Sequence, residues 1–246
     1  MIKLQGKIQE SNDIWGPRPS KKQETQAFKK NIRFLQTNKK LTYLSLALNP
    51  ETSFDFHFLL SRFQYLQSVS TLDLNITDRE HLTVPNIRIL SFIIANLKNL
   101  TAFYFQHPEN FQVSFKLIDA IFFALKRLSS LSRLTLKFNS HREFGDAHIQ
   151  KLALHLTKLP KLHSLIIYIQ NSTEITNTGL QPLSLAFKNL PSLSEVSIQL
   201  LYSPSSSAST FQELFSGLAT LKFLKKLELF IRPDSGCYFI EPIPHR

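Results

Sequence analysis

The chain has 246 residues, 43% of them hydrophobic, and a net charge of +11. That length can bury one sizeable core, and no apolar run approaches the ~18 residues that mark a membrane span. The single cysteine, Cys237, excludes an internal disulfide framework and a thiolate metal cluster. The opening residues, Met1-Ile-Lys-Leu-Gln-Gly-Lys-Ile-Gln-Glu10, contain no apolar leader. These features point to an intracellular protein, cytoplasmic, with an organelle matrix as the alternative. Glu10 and Asp13 weigh against an organelle presequence. The basic excess sits at the front: residues 1–40 hold 10 Lys and Arg against 3 Asp and Glu, whereas residues 41–246 hold 19 against 15.

Residues 1–20 show no apolar period. Trp15-Gly16-Pro17-Arg18-Pro19 fits neither a regular helix nor a central strand. The segment reads as an extended basic arm. A solvated tail and a docking peptide both fit it. For docking, the candidate residues are the only tryptophan, Trp15, and the basic Arg18, Lys21 and Lys22. Residues 21–40 predict a capping helix. Ser20-x-x-Gln23 has the form of a capping box, and Phe28, Ile32 and Leu35 share one helical face.

Residues 41–232 repeat one phrase, Leu-x-x-Leu-x-Leu-x-apolar. Its first apolar residues are Leu41, Val69, Leu100, Leu131, Leu162, Leu193 and Leu224, at an interval of 28 residues and then five intervals of 31. Within each phrase the apolar residues alternate, as in Leu72, Leu74 and Ile76 or Val196, Ile198 and Leu200. Alternation predicts a short strand with one buried face. Between phrases the pattern takes a helical period, as over Leu117–Leu128 and Leu183–Leu190. A leucine recurs three residues ahead of six phrases: Leu66, Leu97, Leu128, Leu159, Leu190 and Leu221. Gly145-Asp146 and Thr178-Gly179 sit where a turn enters a helix, and Thr210-x-x-Glu213 has the form of a capping box.

Each unit is therefore strand, loop, helix and return. No unit buries both faces alone, so the units must stack. Residues 233–246 contain Pro233, Pro242 and Pro244, which forbid another helical unit. Tyr238, Phe239 and Ile240 suit a C-terminal cap; a partner-binding tail is the alternative.

The segments Leu134-Thr-Leu-Lys-Phe-Asn139 through Gly145-Asp-Ala-His-Ile149, and Leu165-Ile-Ile-Tyr-Ile-Gln-Asn171 through Thr178-Gly-Leu180, resemble the leucine-rich repeat superfamily, in particular its ribonuclease-inhibitor-like class in the long form common among protist proteins. The resemblance covers roughly residues 24–232. The asparagine after the strand is clear near Asn49, Asn139 and Asn171, and the glycine turn in two units. The implied fold is α/β, a leucine-rich repeat solenoid or horseshoe with a parallel inner sheet and outer helices. The implied function is protein binding, with no catalytic residues and no cofactor.

Chemistry is scarce. The six glycines form neither a phosphate-cradling nor a dinucleotide motif, and HExxH and GxSxG are absent. His141, His148 and His155 recur every seven residues without completing a metal site. Cys237 has no local activating group, and Asp119 has no acid–base partner in sequence. No small-molecule substrate is expected. Acidic residues gather where helices begin: Glu51, Asp55, Asp78, Glu80, Glu109, Glu143, Asp146 and Glu174. Basic residues gather where helices end: Lys98, Lys126, Arg127, Lys158, Lys188 and Lys222. Both placements complement the helix dipole and would form two charged rims. The strand spacers line the concave face, where Arg133, Lys137 and Lys226 balance Asp73, Glu195 and Glu228. A near-neutral face with Tyr104, Ile166, Tyr168 and Phe230 suits a protein partner. Tyr104, Ile166 and Tyr168 are expected near one another on adjacent strands. The expected protein-contacting set is Tyr104, Arg133, Lys137, Ile166, Tyr168 and Phe230. Nucleic acid, through the basic arm or rim, is the alternative partner.

Overall fold

A computed structural model describes residues 2–5, 41–48, 66–76, 83–107, 115–138, 144–170, 175–201, 208–232 and 238–240. Trp15, Arg18, Lys21, Lys22, the capping helix expected over 21–40, His141 and the acidic helix-start residues other than Asp146 lie outside the described residues.

The described strands are β1 (Ile2–Gln5), β2 (Tyr43–Leu48), β3 (Thr71–Ile76), β4 (Ala102–His107), β5 (Arg133–Phe138), β6 (Ser164–Gln170), β7 (Glu195–Leu201), β8 (Lys226–Arg232) and β9 (Tyr238–Ile240). They form one sheet in chain order. All neighbouring strands from β1 to β8 pair parallel, and β9 closes on β8 antiparallel. Within the segment expected as an extended arm, Ile2–Gln5 adds a strand to β2. Parallel neighbours require a crossover, and each described crossover is a helix: α1 (Val84–Ala95), α2 (Phe115–Leu125), α3 (Asp146–Leu156), α4 (Asn177–Phe187) and α5 (Ala208–Leu218). The fold is therefore a leucine-rich repeat α/β solenoid.

The phrase leucines explain the core. Leu72, Leu74 and Ile76, Leu134, Leu136 and Phe138, and Leu165, Ile167 and Ile169 are buried in one continuous cluster with helical residues such as Ile94, Phe122, Leu152 and Leu183. Burying each such side chain stabilises the fold by about 1.5–3 kcal/mol. Under β5 the core turns aromatic. Phe138 meets Phe105 at 5.6 Å, Phe122 at 6.2 Å and Phe144 at 4.7 Å between ring centroids. At the last unit Leu224 and Leu227 are only partly buried, as befits the end of a stack.

The recurring leucines before the phrases end the return. The N–H groups of Val69, Leu100, Leu131, Leu162, Leu193 and Leu224 donate to the carbonyls of Leu66, Leu97, Leu128, Leu159, Leu190 and Leu221. Each return is thus a tight i to i+3 turn that drops its leucine into the core. One residue later, a column of carbonyls on Thr42, Ser70, Thr101, Ser132, His163 and Ser194 each accepts two N–H groups from the following unit. This column sets the register of the stack.

The helices begin by different devices. Pro85 lies in the first turn of α1, where its missing N–H costs nothing. In α3 the His148 Nδ1 accepts the N–H of Gly145 at 3.3 Å. In α4 the hydroxyl of Thr176 accepts the N–H of Thr178 at 3.1 Å. Pro182 lies inside α4 and cannot donate to the carbonyl of Thr178. Gln150 Nε2 of α3 takes that carbonyl instead, at 3.1 Å. Thr210 and Glu213, expected as a capping box at the helix entry, both lie within α5, which runs from Ala208.

Candidate partner-binding face

Strand register decides which side chains meet on the concave face. From β3 to β8 one lateral row reads Thr71, Ala102, Arg133, Ser164, Glu195 and Lys226. The next reads Asp73, Tyr104, Thr135, Ile166, Ser197 and Glu228, and the third Asn75, Gln106, Lys137, Tyr168, Gln199 and Phe230. Short spacers do not reach solvent. Ala102, Thr135, Ser164 and Ser197 are buried although they belong to this face, because longer neighbours stand above them on the adjoining strands.

Thr135 is 8% exposed. Tyr104 and Ile166 flank it across the sheet. Arg133 and Lys137, both exposed, flank it along β5, two residues either side. Tyr104 and Ile166 are not on adjacent strands, since β5 lies between them, and their backbones are about 10 Å apart. Tyr168 pairs in register with Lys137, and its hydroxyl donates to Gln170 Oε1 at 2.8 Å. Phe230 is half-buried on β8, two strands beyond Tyr168 across Gln199, and does not join this cluster.

The expected neutrality of the face conceals a local sign. Glu228 is paired with Lys226 at 3.0 Å, and the hydrogen bond from Lys226 holds its carboxyl below the usual carboxylate range. Asp73 accepts a hydrogen bond from the Tyr43 hydroxyl at 3.3 Å. Burial, then Asp73, pushes that phenol up. Neither Arg133 nor Lys137 forms an ion pair with another described residue. The two cations of β5 are thus flanked by apolar groups, and the acidic Asp73 and Glu195 stand two strands away on either side. In the outer row Asn75 Oδ1 is buried with no hydrogen-bond partner among the described residues.

Beyond the sheet, the edge where helices end and strands begin is cationic. Lys98, Lys126, Arg127, Lys158, Lys188 and Lys222 are all exposed there. Lys161 and Lys225, exposed in the same returns, join them. The return segments 96–101, 126–132, 157–163, 188–194 and 219–225 contain no Asp or Glu. Of the acidic residues at helix starts, Asp146 is described. It is engaged within the fold, accepting the N–H of Thr176 at 2.7 Å and the Thr176 hydroxyl.

The histidines serve the fold. His148 is buried and stacks on Phe144, ring centroids 5.0 Å apart. His155 is held below its ordinary range by burial and then by Lys126. Among the described residues no three His, Cys, Asp or Glu side chains are grouped to hold a metal ion. No described helix is long and apolar enough to cross a membrane.

No known protein-family model matches the sequence, and no curated protein matches it. Among solved structures, the chain is similar to the tropomodulin C-terminal domain of Caenorhabditis elegans, at 16% identity and a TM-score of 0.46, over 68% of this chain and 93% of that one. It is also similar to TLR13 in its complex with ssRNA13, at 18% identity and a TM-score of 0.37, over 83% of this chain and 27% of that one.

Proposed function

We propose that the protein is a non-catalytic interaction module or scaffold subunit that grips a protein partner on its concave face. The observation that carries this reading is the grouping around the buried Thr135, with Tyr104 and Ile166 across the sheet and Arg133 and Lys137 along it. Aromatic and Arg anchors around a sheltered centre suit a protein interface. The two cations select a partner segment carrying a carboxylate beside an apolar side chain. Tyr168 extends the contact, and Phe230 supplies a separate one. Trp15, Arg18, Lys21 and Lys22 form a second contact on the same assembly. The helical crossovers are the support for placing the solenoid in the ribonuclease-inhibitor-like class.

Affinity purification with mass spectrometry tests the reading. Full-length protein recovers a partner that Ile166→Ala and Arg133→Ala each reduce at least tenfold, with little dependence on salt. Recovery unchanged by both substitutions would overturn it. Trp15→Ala with Arg18→Ala tests the arm while leaving β1 in place, and unchanged recovery would sink that contact.

The acid-free basic edge favours a second reading, a structural subunit of a ribonucleoprotein or organelle complex that contacts RNA. In that case binding falls steeply between low and moderate salt, and Ile166→Ala leaves it unaffected.

A further inference from the structure

The outer helices carry a second pattern with the same period as the leucines. Phe92 in α1, Phe123 in α2, Leu154 in α3 and Leu185 in α4 follow one another at 31 residues. They are 52%, 50%, 61% and 51% exposed. Equivalent positions of stacked units share one line, so these four side chains form an apolar row across the convex side. The row ends at α5, where the equivalent residue is the exposed Ser216. The core does not account for it: the residues just before each member, Ser91, Phe122, Ala153 and Ser184, are buried, and the members themselves point outward.

The row is one side chain wide. One helical turn earlier stand Arg88, Asp119, Gln150 and Gln181, and one turn later Asn96, Arg127, Lys158 and Asn189. The one acidic residue of these, Asp119, is neutralised by Lys151 at 2.7 Å. The border facing the basic edge is therefore positive, through Lys126, Arg127, Lys158 and Lys188.

We propose that this row docks an acidic amphipathic helix of a partner protein. Its apolar side lies on Phe92, Phe123, Leu154 and Leu185, and its carboxylates face Arg127 and Lys158. The dimensions agree. Three helix-to-helix steps of about 8–10 Å give a span of roughly 24–30 Å, the length of about 16–20 helical residues. Charge complementarity selects an acidic helix. A lipid surface fits less well, because inserting so narrow a row would carry Arg88, Gln150 and the Asp119–Lys151 pair into the apolar layer. A single-stranded nucleic acid fits less well, because leucines offer no ring for stacking and Lys126 Nζ already lies 3.5 Å over the Phe123 ring.

The test uses the full chain and a synthetic peptide of about 20 residues, Glu-rich with leucines on one helical face. A control peptide has the same composition with the leucines dispersed. Calorimetry is expected to show binding of the first peptide, with helix induction by circular dichroism, and at least tenfold weaker binding of the control. Leu154→Gln with Leu185→Gln weakens binding at least tenfold, and so does Arg127→Glu with Lys158→Glu, while thermal melts show every variant folded. Ile166→Ala binds the peptide normally, which separates this surface from the concave one. Absence of peptide binding, equal binding of the control, or equal binding by the variants overturns the proposal. So does loss, in the leucine variant, of co-sedimentation with phosphatidylserine vesicles or of binding to an oligouridine.

Discussion

Two neighbouring junctions on the helical side, α2 with α3 and α3 with α4, close the same kind of gap in opposite ways. Between α3 and α4 the backbones touch. A Cβ added to Gly179 would stand 2.9 Å from the Cα of Asp146, closer than real side chains approach. The Asp146 carboxylate holds the Thr176 N–H, and Gln150 holds the Thr178 carbonyl. Between α2 and α3 the link is an ion pair, Lys151 with Asp119, both about half exposed, beside His155, whose charge is disfavoured by burial and by Lys126. The strand side repeats one solution in every unit, while the helix side uses more than one. One junction rests on volume and hydrogen bonds, the other on charge. An exposed ion pair contributes ~0–1 kcal/mol, so the two should respond differently to the same perturbation.

The largest effect is expected at the steric junction. Gly179→Val should cost about 3 kcal/mol in urea melts, insensitive to salt, because the obstacle is backbone and cannot swing away. A loss below about 1 kcal/mol would mean that the helices separate freely. Gly217 stands in the same relation to Ser184 at the junction of α4 and α5, 2.7 Å from its Cα. Next in size, Asp146→Ala removes the acceptor of the Thr176 N–H and hydroxyl, an expected loss of about 2 kcal/mol. An unchanged midpoint would show that water replaces the carboxylate there.

The smallest effect belongs to the charged junction and depends on pH. The folded state lowers the pKa of His155, so the unfolded chain binds the proton more readily. The corresponding stability is present above the ordinary histidine range and is lost as pH falls through the folded value. Thermal melts between about pH 7.5 and 5.5 should therefore fall less steeply for His155→Gln than for the parent chain. Parallel curves would remove His155 from the account.

Much of this architecture is written in one dimension. The 31-residue interval of Leu100, Leu131, Leu162, Leu193 and Leu224 fixes strand spacing, and alternation fixes which side of each strand is buried. What the interval does not carry is height. Thr135 and Ser164 are spacers like Tyr104 and Ile166, yet they lie buried, because exposure on a sheet depends on the side chains of the adjoining strands. Nor does the interval carry pairing: Glu228 is engaged by its own strand neighbour Lys226, whereas Arg133 and Lys137 form no ion pair with another described residue. Thr210 and Glu213 misled because a run of Ser and Thr offers several capping hydroxyls, and α5 begins before the last of them. Thr178-Gly179 was expected at the turn entering a helix; Gly179 lies in the first turn of α4, and its contact with Asp146 depends on two units 31 residues apart lying in register. The row from Phe92 to Leu185 was legible through its spacing and was overshadowed by the leucines that share it.

The carbonyl column has a temporal consequence. At every step the acceptor belongs to the earlier unit and the two donors to the later one, from Thr42 receiving Ser70 and Thr71 to Ser194 receiving Lys225 and Lys226. A chain leaving the ribosome N-terminus first therefore presents each new return to an acceptor already made. The stack can grow vectorially, one unit at a time, without waiting for the distant end of the chain.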